Sequence, residues 1–146
     1  MTTLGRNTGR LLEADLTNVV IGGFFECYNQ LGIGFLESVY EAGLALILEE
    51  AGLEVRRQEK IVVWFRQKEI GRFRADLINN NSVLVEIKRA KRIHSRHRAQ
   101  LLNALKATQL ETGLLLNFGL QPQFRRIVLT NDRKPNLPGR HCGLPA

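Results

Sequence analysis

The chain has 146 residues, of which 44% are hydrophobic and 24% are charged, so it can form one domain with a buried core and is too apolar for wholesale disorder. Its 21 Lys and Arg against 14 Asp and Glu give a net charge of +7, which favours polyanionic partners, nucleic acid above all. Two cysteines exclude a disulfide framework or a four-thiolate metal site within one chain, and no signal peptide or membrane-spanning run is visible, so we expect a cytoplasmic protein with no membrane contact.

Two helices are predicted first. Apolar side chains recur at helical spacing from Ala14 to Leu31, among them Cys27, which we expect only to pack. The segment "GIG" at 32–34 breaks that pattern. A second helix is predicted from about Leu36 to Ala51, with Gly52 placed to end it.

Three strands are predicted next. β-Branched and aromatic residues dominate 53–65 and 69–78, with a turn at 66–68 between them. The sequence "NNNS" at 79–82 is a strong turn signal before the apolar run "VLVEIK" at 83–88. A meander of three strands is therefore expected after the helices.

The second half of the chain predicts one more helix and two more strands. Ser95 is suited to cap a helix that runs to about Leu110, and the apolar run 113–119 suits a strand covered on both faces, followed by a strand at 124–130. The order α-α-β-β-β-α-β-β indicates an α/β fold with a central mixed sheet flanked by helices. We expect the domain to span 11–130, with flexible segments at 1–10 and at the proline-rich 131–146.

The hairpin at 73–92 carries the features that bear on function. Side chains alternate between the faces of a strand, so an apolar face forms from Phe73, Ala75, Leu77, Val83, Val85 and Ile87. A three-residue loop at 80–82 aligns that face, pairing Asn79 with Val83 and Asp76 with Glu86. Lys88 then follows on the same face as the two carboxylates.

Two carboxylates in register across a ladder repel each other. A divalent cation between Asp76 and Glu86 would turn that repulsion into ligation, and hard oxygen ligands suit Mg²⁺ or Mn²⁺. The alternatives are a solvated, salt-bridged face, or neutralisation of the pair by Arg72 or Arg74.

A basic run begins at the end of the strand "VLVEIK". The segment "KRAKRIHSRHR" at 88–98 contains no acidic residue and two histidines. It can bind phosphates, or it can be an ordinary solvated loop.

These residues resemble the signature of the PD-(D/E)XK nuclease superfamily, in which an Asp precedes Glu-x-Lys on the next strand. Ala75 replaces the proline of the superfamily's name. More narrowly, "GFLESVY" resembles the motif of the bacterial GxxExxY family, with Gly34, Glu37 and Tyr40 at the named positions. The block "AQLLNALKATQLETGLLLNFG" is similar to that family's downstream block. The resemblance implies a restriction-endonuclease-like core.

The resemblance also implies roles for single residues. Asp76 and Glu86 would ligate the metal with the Ile87 carbonyl, and Glu37 would complete the shell as a helical carboxylate. Lys88 would orient the attacking water and stabilise charge on the phosphate. Gln100 resembles a glutamine that contacts the site or the DNA. Glu37 and Gln100 are alternatively plain solvated helix residues, and Tyr40 is expected mainly to pack.

The sequence therefore predicts a Mg²⁺- or Mn²⁺-dependent nuclease that acts on nucleic acid, with DNA as the expected form. Its phosphate-binding residues are predicted to be Lys91, Arg92, Arg96, Arg98, Arg125 and Arg126. Sequence-specific cleavage by so small a protein would need a homo-oligomer or a protein partner. The rival interpretations are a non-catalytic nucleic-acid-binding or assembly protein that retains the fold, and a soluble interaction module.

Overall fold

The computed structural model describes residues 13–137, which form three helices and five strands in the predicted order. The helices are α1 (Glu13–Leu31), α2 (Glu37–Glu50) and α3 (Ser95–Lys106). The strands are β1 (Val55–Phe65), β2 (Lys68–Asn79), β3 (Val83–Lys88), β4 (Thr112–Phe118) and β5 (Pro122–Val128). No helix among residues 13–137 is long and apolar enough to cross a membrane.

The five strands form one mixed sheet in the order β1-β2-β3-β4-β5. Neighbouring strands are antiparallel except β3 and β4, which are parallel because α3 crosses over between them. The mixed α/β sheet expected from the sequence is therefore confirmed.

Helices cover both faces of the sheet. On one face α1 and α2 pack around a cluster that includes Phe24, Tyr40 and Phe118. On the other face α3 packs through Leu101 and Leu105 onto a second cluster. Every residue of β4 is buried, as the wholly apolar run predicted.

Cys27 lies in the first of these clusters, 1% exposed, and is a free thiol among residues 13–137. Burial raises the pKa of its thiol to about 11, as expected for a cysteine that packs.

The ends of α3 differ from the prediction. His94, and not Ser95, is the N-cap, because the His94 N–H donates to Nδ1 of His97 in a capping box. The helix ends at Lys106 instead of near Leu110. The other two helices begin and end within a residue or so of their expected positions.

The β2–β3 hairpin has the predicted loop but not the predicted uninterrupted ladder. Asn79 pairs with Val83 as expected, and the pairing stops at Leu77–Val85, one step before Asp76 and Glu86. The expectation of an unbroken apolar face is also wrong. Leu77 packs in the α1–α2 cluster, whereas Ala75 packs in the α3 cluster, so the alternation changes phase at Asp76.

Part of the predicted C-terminal tail belongs to the packed domain. A 3₁₀ turn at Asn131–Arg133 leads into Lys134, whose buried Nζ donates to the carbonyls of Thr108 and Leu110. Leu137 is also buried. Residues 131–137 of the expected tail thus include two buried side chains, and Lys134 is bound to the α3–β4 connection. The expected flexible N-terminus, Cys142 and the remaining tail lie outside the described residues.

Candidate functional site

Asp76 lies where β2 and β3 part, and its two oxygens are held separately. Oδ2 accepts the backbone N–H of Ile87 at 2.7 Å, and Oδ1 accepts Nε2 of Gln58 at 3.2 Å. Burial raises the pKa of Asp76, with the charges of Glu41 and Glu37 adding to it, and both hydrogen bonds oppose the rise. The carboxylate is thus fixed in orientation at the opening of the hairpin.

Glu86 is the more deeply buried of the two carboxylates, at 5% exposed. The pKa of Glu86 is raised to about 8, mainly by burial and next by the Asp76 charge, while the Lys88 charge opposes the rise. Asp76 and Glu86 therefore interact across the strands, and Lys88 lies within electrostatic reach of Glu86. The register argument predicted a direct Asp76–Glu86 pairing, and the backbone ladder stops one step before that pair.

Two carboxylates of α2 lie near this pair in different ways. Glu37, the predicted third ligand, is exposed, and its charge contributes to the raised pKa of both Asp76 and Glu86. Glu41, one turn further on, is buried and bound by Arg57 Nε at 3.0 Å and Gln58 Nε2 at 2.7 Å. The sequence did not single out Glu41, because Glu37 and Glu41 lie one turn apart on the same helix and only Glu37 falls in the Gly-x-x-Glu-x-x-Tyr motif.

The Gly-x-x-Glu-x-x-Tyr segment forms a buttressed loop before α2. Gly34 has φ of +103°, a conformation that glycine adopts without strain. The Tyr40 hydroxyl donates to the Gly32 carbonyl at 2.6 Å and accepts the Phe35 N–H at 3.3 Å. Its ring stacks on Phe118 at 4.3 Å, so the predicted packing role of Tyr40 is confirmed. The loop fixes where Glu37 begins the helix. Membership of the narrower GxxExxY family stays a prediction.

A clamp at the end of β3 was not predicted. The Asn117 side chain accepts the Ala90 N–H at 2.7 Å and donates to the Ala90 carbonyl at 2.9 Å. Tyr28 donates to the carbonyls of Gly119 and Leu120 just beyond. The clamp fixes the chain two residues after Lys88. The asparagine inside an otherwise apolar strand was the sequence signal for it.

The predicted residues of α3 and the basic run lie at the surface. Gln100 is exposed, whereas His97, one turn earlier, is buried and feels the charge of Lys88. Burial, followed by the Arg96 and Lys88 charges, lowers the pKa of His97 and favours its neutral form. The exposed predicted phosphate-binding residues are Lys91, Arg92, Arg96, Arg98, Arg125 and Arg126.

A family model described as the PD-(D/E)XK nuclease superfamily matches residues 14–127. The chain belongs to this superfamily. The match spans both helices before the sheet, the Asp76 hairpin, α3 and β4, and it ends within β5. The restriction-endonuclease-like α/β fold expected from the sequence is thereby confirmed.

The fold also resembles a solved structure titled "Crystal structure of SSO0001", with a TM-score of 0.53 and 19% sequence identity. The alignment covers 83% of this chain and 61% of that chain, so this protein spans less than two thirds of the other's length. At this identity the likeness concerns the fold alone. No curated protein matches the sequence significantly.

PD-(D/E)XK nucleases typically use divalent metals. Among residues 13–137 no group of three or more His, Cys, Asp or Glu side chains is arranged to hold a metal ion. Two carboxylates do converge, and burial together with the Asp76 charge raises the pKa of Glu86, so a negative charge on Glu86 is costly without a compensating cation or proton. Mg²⁺ is commonly bound by one or two carboxylates with water filling the other positions. The donor set of Asp76, Glu86 and the Ile87 carbonyl fits that pattern.

Proposed function

We propose that the protein is a Mg²⁺- or Mn²⁺-dependent nuclease that hydrolyses phosphodiester bonds of nucleic acid, with DNA as the expected substrate. The observation that carries this proposal is the convergence of Asp76 and Glu86 at the opening of the hairpin. The pKa of both is raised, in a domain of the PD-(D/E)XK nuclease superfamily. The ion pairs found among residues 13–137 do not include Glu86, which is buried beside the Asp76 carboxylate.

Asp76 and Glu86 would hold the ion, with the Ile87 carbonyl as a third oxygen. A divalent cation supplies Lewis acidity, which favours ionisation of a water molecule and offsets charge on a phosphate. Glu37 is exposed at the first turn of α2, and its charge reaches both carboxylates. We assign it to the shell around the ion, through water.

We assign charge stabilisation in the site to Lys88. It is half-buried beside Glu86 and follows it by two residues on β3. Its ammonium would orient the attacking water and stabilise the negative charge that develops on the phosphate in the transition state. The clamp of Asn117 on Ala90 holds the strand end that presents this lysine.

The exposed basic residues would bind the nucleic-acid backbone. Lys91 and Arg92 follow β3, Arg96 and Arg98 lie in the first turn of α3, and Arg125 and Arg126 lie on β5. Contacts to phosphates position a substrate without reading its sequence. Gln100, on the same helix as Arg96, is assigned to the substrate-facing edge of the site.

The proposal is tested by titrating Mn²⁺ into wild type, Asp76→Ala, Glu86→Ala, Glu37→Gln and Lys88→Ala. A mixed panel of single- and double-stranded DNA and RNA is assayed for cleavage in parallel. Asp76→Ala and Glu86→Ala should lose both the ion and cleavage. Lys88→Ala should bind the ion and cleave poorly, and Glu37→Gln should bind it more weakly. Wild type that binds no divalent ion would exclude the nuclease and favour a non-catalytic nucleic-acid-binding protein.

A further inference from the structure

The amide of Gln58 lies between two carboxylates that come from different elements. Its Nε2 donates to Oε1 of Glu41 on α2 at 2.7 Å and to Oδ1 of Asp76 on β2 at 3.2 Å. The Glu41 charge is one of the influences that raise the pKa of Asp76. A neutral donor thus separates two like charges and ties the strand that carries Asp76 to the helix beside it.

The backbone of Gln58 is as unusual as its side chain. Its φ is +51°, in the left-handed region that non-glycine residues seldom adopt. The ladder between β1 and β2 pairs Arg57 with Leu77 and Glu59 with Ala75 but omits the step between Gln58 and Asp76. The same step is where the side-chain alternation of β2 changes phase. At this irregular step, Arg74 NH1 donates a hydrogen bond to the Gln58 carbonyl at 3.0 Å.

Glu41 is the anchor of this arrangement. Arg57 occupies Oε2 of Glu41 at 3.0 Å and Gln58 occupies Oε1, and the residue is 5% exposed. A carboxylate whose two oxygens are already bound by an arginine and an amide is a rigid point on α2. Gln58 and the Ile87 N–H bind different oxygens of Asp76, so each takes one lone pair of the carboxylate.

We propose that Gln58 is a positioning residue that fixes the rotamer of Asp76 by linking it to Glu41, and that its left-handed backbone exists to bring the amide to that point. The link to metal binding rests on the proposed function. The positioning of Asp76 does not, because it concerns the protein without any ion.

The informative variant is Gln58→Gly. Glycine adopts φ of +51° without strain, so the irregular step of β1 is retained while the amide is removed. The matched control is Gln67→Gly, which makes the same chemical change at φ of +65° in the turn between β1 and β2. Nine residues of extended chain place that turn about 30 Å from Gln58.

The first readout uses metal-free protein. The Ile87 N–H donates to Oδ2 of Asp76, so its hydrogen exchange, followed by NMR, reports how firmly Asp76 is held. Exchange of this amide should accelerate about tenfold in Gln58→Gly and stay at the wild-type rate in Gln67→Gly. Unchanged protection of Ile87 in Gln58→Gly overturns the inference, whatever the protein does with metal.

The second readout is the affinity for Mn²⁺ by calorimetry. Loss of a group that orients a ligand typically weakens metal binding by about 10- to 100-fold, and that loss is expected in Gln58→Gly and not in Gln67→Gly. Wild-type affinity in Gln58→Gly would overturn the inference. Wild type that binds no Mn²⁺ would instead refute the proposed function, and the exchange of Ile87 would still decide whether Gln58 positions Asp76.

Discussion

At the scale of single residues, Glu86 determines how the site responds to pH. Burial and the Asp76 charge raise the pKa of Glu86 from 4.5 to about 8 in the folded protein. Between these values the folded state binds a proton that the unfolded state has released. The free energy of unfolding of the metal-free protein therefore decreases as pH rises through this window. The stabilisation that comes from the bound proton is largest below the window.

Glu86→Gln should abolish much of this dependence. The neutral amide keeps the shape of the side chain without a titrating proton. At about pH 9 the variant should therefore be more stable than wild type, by a few kcal/mol at most, and at about pH 5 the two proteins should be similarly stable. Urea unfolding in the presence of a chelator measures both. Superimposable stability profiles of the two proteins would contradict the burial argument.

The sequence predicted a site at Asp76, Glu86 and Lys88 because strand alternation and a three-residue loop define the expected register of the hairpin. It could not supply Gln58, because nothing in the letters marks a glutamine with positive φ. That irregular step also explains why the predicted unbroken apolar face failed at Asp76 although the Asn79–Val83 pairing was right. Glu41 was missed because the sequence does not distinguish it from Glu37, one helical turn earlier, and because its partners Arg57 and Gln58 lie on β1.

At the scale of elements, the clamp on the end of β3 is the most demanding contact. A Cβ on Gly119 would lie 2.0 Å from the Ala90 carbonyl oxygen, far inside contact distance, and backbone cannot yield as a flexible side chain can. The close approach lets Asn117 bind both polar groups of Ala90. Glycine is therefore needed at 119 for its missing side chain.

Gly119→Ala should destabilise the protein by about 1–3 kcal/mol, since the methyl group forces Ala90 away from Asn117. It should also lower any metal-dependent cleavage, because Lys88 precedes the displaced residue by two positions. The matched control is Gly71→Ala on β2, where an added Cβ meets nothing within 4 Å. Chemical denaturation compares the two variants, and equal stabilities would show that the close approach relaxes freely.

The spacing of apolar residues predicted the helices and strands and their order, because that spacing depends on whether an element is buried on one face or on both. Their ends depended on contacts that periodicity does not report. The His94–His97 capping box moved the start of α3 by one residue. Lys134 binds two carbonyls of the α3–β4 connection, a contact that the sequence pattern did not indicate. Burial lowers the pKa of this lysine.

At the scale of the whole molecule, charge is separated between two regions. The ion pairs found among residues 13–137 hold Arg56, Arg57 and Arg72 on β1 and β2. In the basic run 88–98, the arginines and Lys91 are exposed, and the run contains no acidic residue. It begins at Lys88, so any polyanion that it binds is brought beside the carboxylates of the site.

Binding to nucleic acid should therefore weaken steeply with salt. Each phosphate neutralised contributes a slope of about −0.9 on duplex DNA, or about −0.7 on single strands, to the plot of log affinity against log salt. Reversing the charge of Lys91, Arg92 and Arg96 to Glu should flatten that slope by roughly the number of phosphates these residues contact.

The control is the same reversal at Lys60, Arg66 and Lys68, which are exposed on the β1–β2 hairpin and change the net charge equally. If binding depends on local contacts, only the first triple variant changes the slope, because counterion release occurs where a side chain meets a phosphate. If binding depends on the net charge of +7 alone, both variants should weaken it alike. Fluorescence anisotropy over a salt series distinguishes the two, and equal slopes in the two variants would place the phosphate contacts outside the run after β3.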